Sequence, residues 1–147
     1  MTTGATSKMG VVSPQLYPDW AVLDGNLTLT VPKATTAYTG VDAMVHAIEA
    51  YTSKFKKNTL SDLLAREGAR LLSENIHKAT FEGNDAEARS KMLLGSMYAG
   101  MAFANAPVAA VHALAYPVGS HFKVPHGLSN SLVLPRVLEF NASSAAH

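Results

Sequence analysis

The run TGVDAMVHAIEAY, residues 39–51, sets the apolar residues Val41, Met44, Val45, Ile48 and Tyr51 at steps of three and four. That is the period of one buried helical face, so the stretch is predicted to be α-helix. The same run holds Asp42 and His46 four residues apart. On a helix they project from one side, one turn above the other.

The pattern persists in both directions. Helical character begins at about Thr36, just after Pro32 opens a new element. A second helix is predicted after Asn58-Thr59, with Ser61 or Thr59 as cap, through Leu63, Leu64, Ala69, Leu71, Leu72 and Ile76. Asp85 suits the cap of a third, which carries Met92, Leu93, Leu94, Met97 and Ala104. Its stretch GSMYAGMAFANA, residues 95–106, is rich in small side chains that let another helix approach closely. Pro107 interrupts; a fourth helix runs through Val111, Leu114 and Ala115, and Pro117 with Gly119 is predicted to end or kink it. Residues 121–124 read as a loop. Pro125-His126-Gly127 then starts a helix with Leu128, Leu132, Val133 and Val137 behind it, and the tail NASSAAH reads as frayed. Upstream, residues 1–19 are loop-like, Trp20–Leu23 reads as one short buried strand, and Asp24-Gly25-Asn26 closes it in a turn. Leu27–Val31 is apolar but short. The fold class is therefore mainly α with one short strand near the N-terminus.

Composition narrows the function classes. A chain of 147 residues, 48% apolar and 16% charged, makes one well-buried domain or part of a larger one, not a disordered tail. A net charge of +1, with no basic block, argues against nucleic acid or an anionic membrane surface as partner. There is no cysteine, so neither a disulfide nor a thiolate ligand enters, which is consistent with a reducing, cytoplasmic setting. No apolar signal region and no run of 18 or more apolar residues are found.

Two further histidines complete a candidate metal site: His112 in AVHALAYPVG and His126 in VPHGLSNSLVLP. Singly, each has a plain reading: a surface Asp–His pair, a satisfied core histidine, a helix-start residue. Together they offer one carboxylate and three imidazoles in charge-poor, apolar surroundings, where unpartnered polar groups are costly. That donor set suits a divalent first-row ion such as iron or zinc. His121 is an alternative ligand or a pocket residue, and Glu49 either supports a ligand from behind or faces solvent. Lys54, Lys56 and Lys57 read as a solvated helix end, His77 as solvent-facing, and the terminal His147 carries no weight.

The blocks TGVDAMVHAIEAY, GMAFANAPVAAVHALAYPVG and VPHGLSNSLVLPRVLEFN, with the approach VVSPQLYPDWAVLDGNLTLTVP, resemble the iron-containing (group III, metal-dependent) alcohol dehydrogenase family. The resemblance implies a helical metal-binding domain of the dehydroquinate synthase-like type over residues 32–147, incomplete at its C-terminus. Residues 1–31 would be the end of a nucleotide-binding domain. It places Asp42, His46, His112 and His126 at the metal ligands and Phe103 near the substrate pocket. It implies hydride transfer between a primary alcohol or aldehyde and NAD or NADP, assisted by iron, alternatively zinc. Many relatives carry a second histidine four residues beyond the ligand matching His112. This chain has Tyr116 there, a candidate proton relay, and a tyrosine holds its proton more tightly than a histidine. The family's glycine-rich pyrophosphate turn does not occur in the sequence. Turnover would therefore require a nucleotide-binding half, in a longer protein or found elsewhere, and the expected partner is a second copy in a homo-oligomer or that nucleotide-binding half. The contrasting reading is a truncated metal-binding or structural remnant without turnover of its own.

Overall fold

The computed structural model describes residues 13–107 and 109–144, and the backbone of residues 2–3 and 8–9. Five helices dominate: α1 Lys33–Thr52, α2 Thr59–Phe81, α3 Ala86–Asn105, α4 Ala110–His121 and α5 His126–Ala142. The mainly α expectation holds.

Local chemistry explains the boundaries. Pro32 has a fixed φ and no N–H to lose, and its carbonyl accepts from Thr36 to start α1. After α1 ends at Thr52, the Lys57 ammonium reaches back to the Tyr51 carbonyl at 2.8 Å, so this lysine does serve a helix end. The cap of α2 is Asn58, one residue before Thr59 and three before Ser61, the predicted candidates. Its side chain accepts from the Leu60 and Ser61 amides, and the Ser61 hydroxyl accepts from the Asn58 amide, closing a capping box. Asp85 caps α3 as expected, accepting from the Ala88 amide at 2.7 Å.

α2 and α3 form the most extensive helix pair, and α1 packs across both. The core is built largely from alanine: Ala43, Ala47 and Ala99 surround Leu72, and Ala50, Ala65, Ala102 and Ala106 form a second cluster. A Cβ on Gly68 would stand 3.0 Å from the Gly95 carbonyl oxygen, so at this crossing the two backbones nearly touch. α5 lies against α1, and α4 packs on α5; Val45, Val111 and Val137 join these three helices.

Three expectations need correction. Trp20–Leu23 has no regular secondary structure, and Trp20 is 88% exposed, so it is not a buried strand. A strand needs a neighbour to accept its hydrogen bonds, and none lies beside this segment among the described residues. The strand pairing seen is a two-residue ladder, β1 Thr2–Thr3 against β2 Lys8–Met9. Leu27, on the predicted apolar stretch, belongs to a 3₁₀ turn at Gly25–Thr28, whose start is capped by Asp24. Finally, Pro117 does not end α4: proline removes one donor only, and the helix runs on to His121, closed by the Phe122 amide bonding to the Val118 carbonyl. His121 is therefore the exposed last residue of a helix rather than part of a loop. Of the tail NASSAAH, Asn141 and Ala142 close α5 rather than fraying, and residues 145–147 lie outside the described residues.

Arg89 fastens the segment before α1 to α3. It is buried and donates to the Gly83 carbonyl, the Thr36 hydroxyl and the Val31 carbonyl at 3.0, 2.7 and 3.3 Å. Three oxygen acceptors satisfy a cation that has little access to water.

Candidate metal centre

α1, α4 and α5 each contribute to one focus. Asp42 lies in the middle of α1, His112 near the start of α4, and His126 is the first residue of α5. The approach of α5 depends on Gly127, where a Cβ would come within 2.3 Å of the Tyr38 carbonyl oxygen of α1. One potential ligand atom from each of Asp42, His112 and His126 falls within 4.8 Å of the others. Asp42 Oδ1 is 3.6 Å from His112 Nε2 and 3.7 Å from His126 Nε2. Two ligands about 2.1 Å from one tetrahedral ion stand ~3.4 Å apart, so these separations suit a shared cation.

His46 adjoins this group without being part of its tightest set. Its ring centroid is 4.5 Å from that of His112 and 4.7 Å from that of Phe103, on which it stacks. Tyr116 stacks on His126, with centroids 5.6 Å apart. All the residues read as metal or pocket candidates, apart from His121, thus lie around one point.

Glu49 is where sequence left two options, and the structure chooses between them. It is 3% exposed, its Oε1 accepts from the Val111 amide at 2.7 Å, and its Oε2 lies 2.6 Å from His112 Nδ1. A carboxylate at Nδ1 orients the ring and turns Nε2 towards Asp42. Burial pushes the Glu49 carboxyl up, but the hydrogen bonds from His112 and from the Ala109 and Val111 amides outweigh it and leave it low. Burial likewise pushes Asp42 up, and His112, His46, Asn130 and His126 together bring it below its ordinary value. His112 is pushed down by burial yet raised to about 9 overall, because Asp42 and Glu49 both hold its proton. His46 is lowered, chiefly by burial, with opposing help from Asp42 and further depression by the neighbouring imidazoles.

Asn130 was not anticipated. It is fully buried on α5, and its Nδ2 donates to Asp42 Oδ1 while lying 3.2 Å from His112 Nε2 and 3.3 Å from His126 Nε2. An amide NH₂ has two hydrogens: Asp42 Oδ1 accepts one, and each imidazole Nε2 can accept only while it carries no proton. A carboxylate oxygen and two imidazole nitrogens converging on one point are the donor set of a cation site. The available signal was spacing: Asn130 is four residues after His126, one turn along the same face.

The pattern that defines the C-terminal part of the Fe-containing alcohol dehydrogenase family matches residues 36–147. The chain belongs to that family. It is 47% identical over 135 residues to long-chain-alcohol dehydrogenase 1 of Geobacillus thermodenitrificans, covering 92% of this chain and 34% of that one. Among solved structures, a 1,3-propanediol oxidoreductase superposes with a TM-score of 0.78 at 42% identity, over 80% of this chain and 31% of that one. Sulfoacetaldehyde reductase from Bifidobacterium kashiwanohense, solved with NAD+, superposes with a TM-score of 0.85 at 34% identity, over 89% of this chain and 35% of that one. The chain thus spans about a third of the length of such relatives.

Proposed function

We propose that residues 32–147 are the metal-binding helical part of an alcohol–aldehyde oxidoreductase, with Asp42, His46, His112 and His126 holding one divalent ion, iron or zinc. The observation that carries this reading is the meeting of Asp42, His112 and His126 within 4.8 Å from three helices. When bound, such an ion polarises an alcohol or carbonyl oxygen as a Lewis acid.

The chain's own residues do the rest of the positioning. Asp42 supplies the negative charge that draws a cation into a largely apolar bundle. Glu49 fixes the His112 ring, and Phe103 fixes the plane of His46 while lining the approach for substrate. Tyr116, stacked on His126, is the group placed to pass a proton between substrate oxygen and solvent. Its competing role is to hold the His126 ring in place.

Hydride transfer needs a carrier, and NAD or NADP is the one we assign, in keeping with the relative solved with NAD+. Residues 1–31 would form the edge of the unit that binds it. The rest of that unit comes from the same longer protein or a separate chain. Primary alcohols or aldehydes are the substrates favoured, as the relatives' names describe such compounds; a glycerol-type or hydroxyacid substrate is the alternative within the family. The cysteine-free sequence suits a cytoplasmic enzyme. No single described helix is long and apolar enough to cross a membrane. The alternative reading is a metal-binding unit without turnover of its own.

Elemental mass spectrometry of the purified chain tests the proposal. About one iron or zinc per chain is expected, lost in the Asp42→Ala/His46→Ala double variant and in His112→Ala and His126→Ala. Equal metal in wild type and variants would defeat the assignment. Alcohol-dependent NAD reduction, assayed with and without a nucleotide-binding half, separates the enzyme from the remnant.

A further inference from the structure

Asn130 spends a buried amide in an unusual way. Its Nδ2 reaches ligand atoms from α1, α4 and α5 at once, while its Oδ1, equally buried, has no hydrogen-bond partner among the described residues. Leaving a buried carbonyl oxygen unsatisfied is costly, and the amide accepts that cost to keep its hydrogens towards Asp42 Oδ1 and the two Nε2 atoms. Reversing the amide would set Oδ1 against the Asp42 carboxylate, where like charges repel.

The lone pairs that Asn130 uses are those through which Asp42, His112 and His126 would hold a cation, and one lone pair cannot serve both. We propose that Asn130 is a positioning residue that keeps the three ligands gathered through its amide and competes with the metal for them, thereby setting the rate and affinity of metal uptake. This rests on the metal-site reading above. In the absence of metal the amide adds a tie at the ligand atoms themselves, donating to Asp42 Oδ1 and lying against His112 Nε2 and His126 Nε2. Metal entry then requires the amide to give up these contacts, so Asn130 slows entry while keeping the site assembled.

The test uses Co²⁺ as an optical probe on the chelator-treated chain, with Asn130→Leu as a variant of similar volume that lacks the donors. Stopped-flow absorbance should show association faster by on the order of tenfold, since contacts to a carboxylate no longer have to break. Equilibrium affinity should be equal or tighter. Thermal melts should fall in the metal-free variant and recover with Co²⁺. Asn130→Ala, which removes the donors without adding charge, should show the same pattern and is decisive if the leucine variant does not fold. Association no faster than wild type, or affinity weakened in both variants, would overturn the proposal and leave Asn130 as packing. If wild type itself takes up no Co²⁺, the metal-site reading fails and this inference falls with it. Normal wild-type uptake with unchanged variants refutes the role of Asn130 alone.

Discussion

Glu49 binds two helices through one carboxylate. One oxygen accepts from the α4 backbone at Val111 and the other holds His112 Nδ1. Glu49→Gln keeps the shape but loses one acceptor and the charge, so metal affinity should fall about 10–100-fold, measured by competition with a chromophoric chelator. Wild-type affinity in the variant would mean that packing alone aims the ring. The same contacts predict a pH dependence. His112 is raised to about 9 from 6.5, so its contribution to stability is complete below about 6.5 and fades as pH climbs towards 9. Asp42 and Glu49 are lowered, so their contribution is present above their ordinary values of 3.8 and 4.5 and is lost as pH falls below them. The chelator-treated chain should therefore melt highest at mildly acid pH and progressively lower towards pH 9. A metal needs Nε2 without its proton, so the stabilisation by added Zn²⁺ should grow over that same range. Parallel slopes with and without Zn²⁺ would show that His112 is not a ligand. Singly, Asp42, His46, His112 and His126 have plain readings in the sequence; the resemblance puts them forward as a set, and the structure brings Asp42, His112 and His126 within 4.8 Å. Sequence left Glu49 open and passed over Asn130, since a glutamate and an asparagine on a helix ordinarily face water, and only the packing of three helices shows that these two do not.

Helix α5 owes its position to the absence of one side chain. A methyl at residue 127 would fall 2.3 Å from the Tyr38 carbonyl oxygen, and backbone cannot step aside as a flexible side chain would. Gly127→Ala should push α5 off α1, lower stability by about 1–3 kcal/mol and carry His126 away from Asp42. Thermal melts and metal content on one preparation check both effects. A stable variant with full metal would show that the two helices can separate without cost to the site. Helices were the most legible level of this chain. Periodicity found all five, and Pro32, Asp85 and Pro125 marked starts that the structure keeps. The misreadings came where local pattern depends on something non-local. Trp20–Leu23 has the composition of a strand, yet strand pairing is settled by a neighbour that the pattern of one segment does not specify. Pro117 with Gly119 read as ending or kinking α4; the ending is ruled out, because the tertiary packing of α4 on α5 outweighs the loss of a single hydrogen bond.

For the whole molecule, the informative feature is the apolar surface left in water. Trp20, Val22 and Leu27 are 88%, 87% and 78% exposed and fall within eight residues of one another in the segment ahead of α1. A second apolar surface runs between α1, α2 and α5, lined by Tyr38, Val41, Ile76, Phe81 and Leu128. Hydropathy alone assigned Trp20–Leu23 to the interior, because it reports which residues avoid water but not which part of a larger assembly shields them. Clustered exposed side chains of this size drive association when a protein is studied by itself. The 147-residue chain should therefore self-associate as its concentration rises, and Trp20→Ser/Val22→Ser should reduce that association. Both side chains make so little contact with the helices that the double variant should keep its folded stability to within about 0.5 kcal/mol per site. Sedimentation velocity over a concentration series, with thermal melts on the same samples, measures the two quantities separately. Less association at unchanged stability would mean that this segment is a contact surface separate from the helical core. A large loss of stability would instead mean that the segment packs on the helices in solution, and monomeric wild type at every concentration would show that these side chains do not drive assembly.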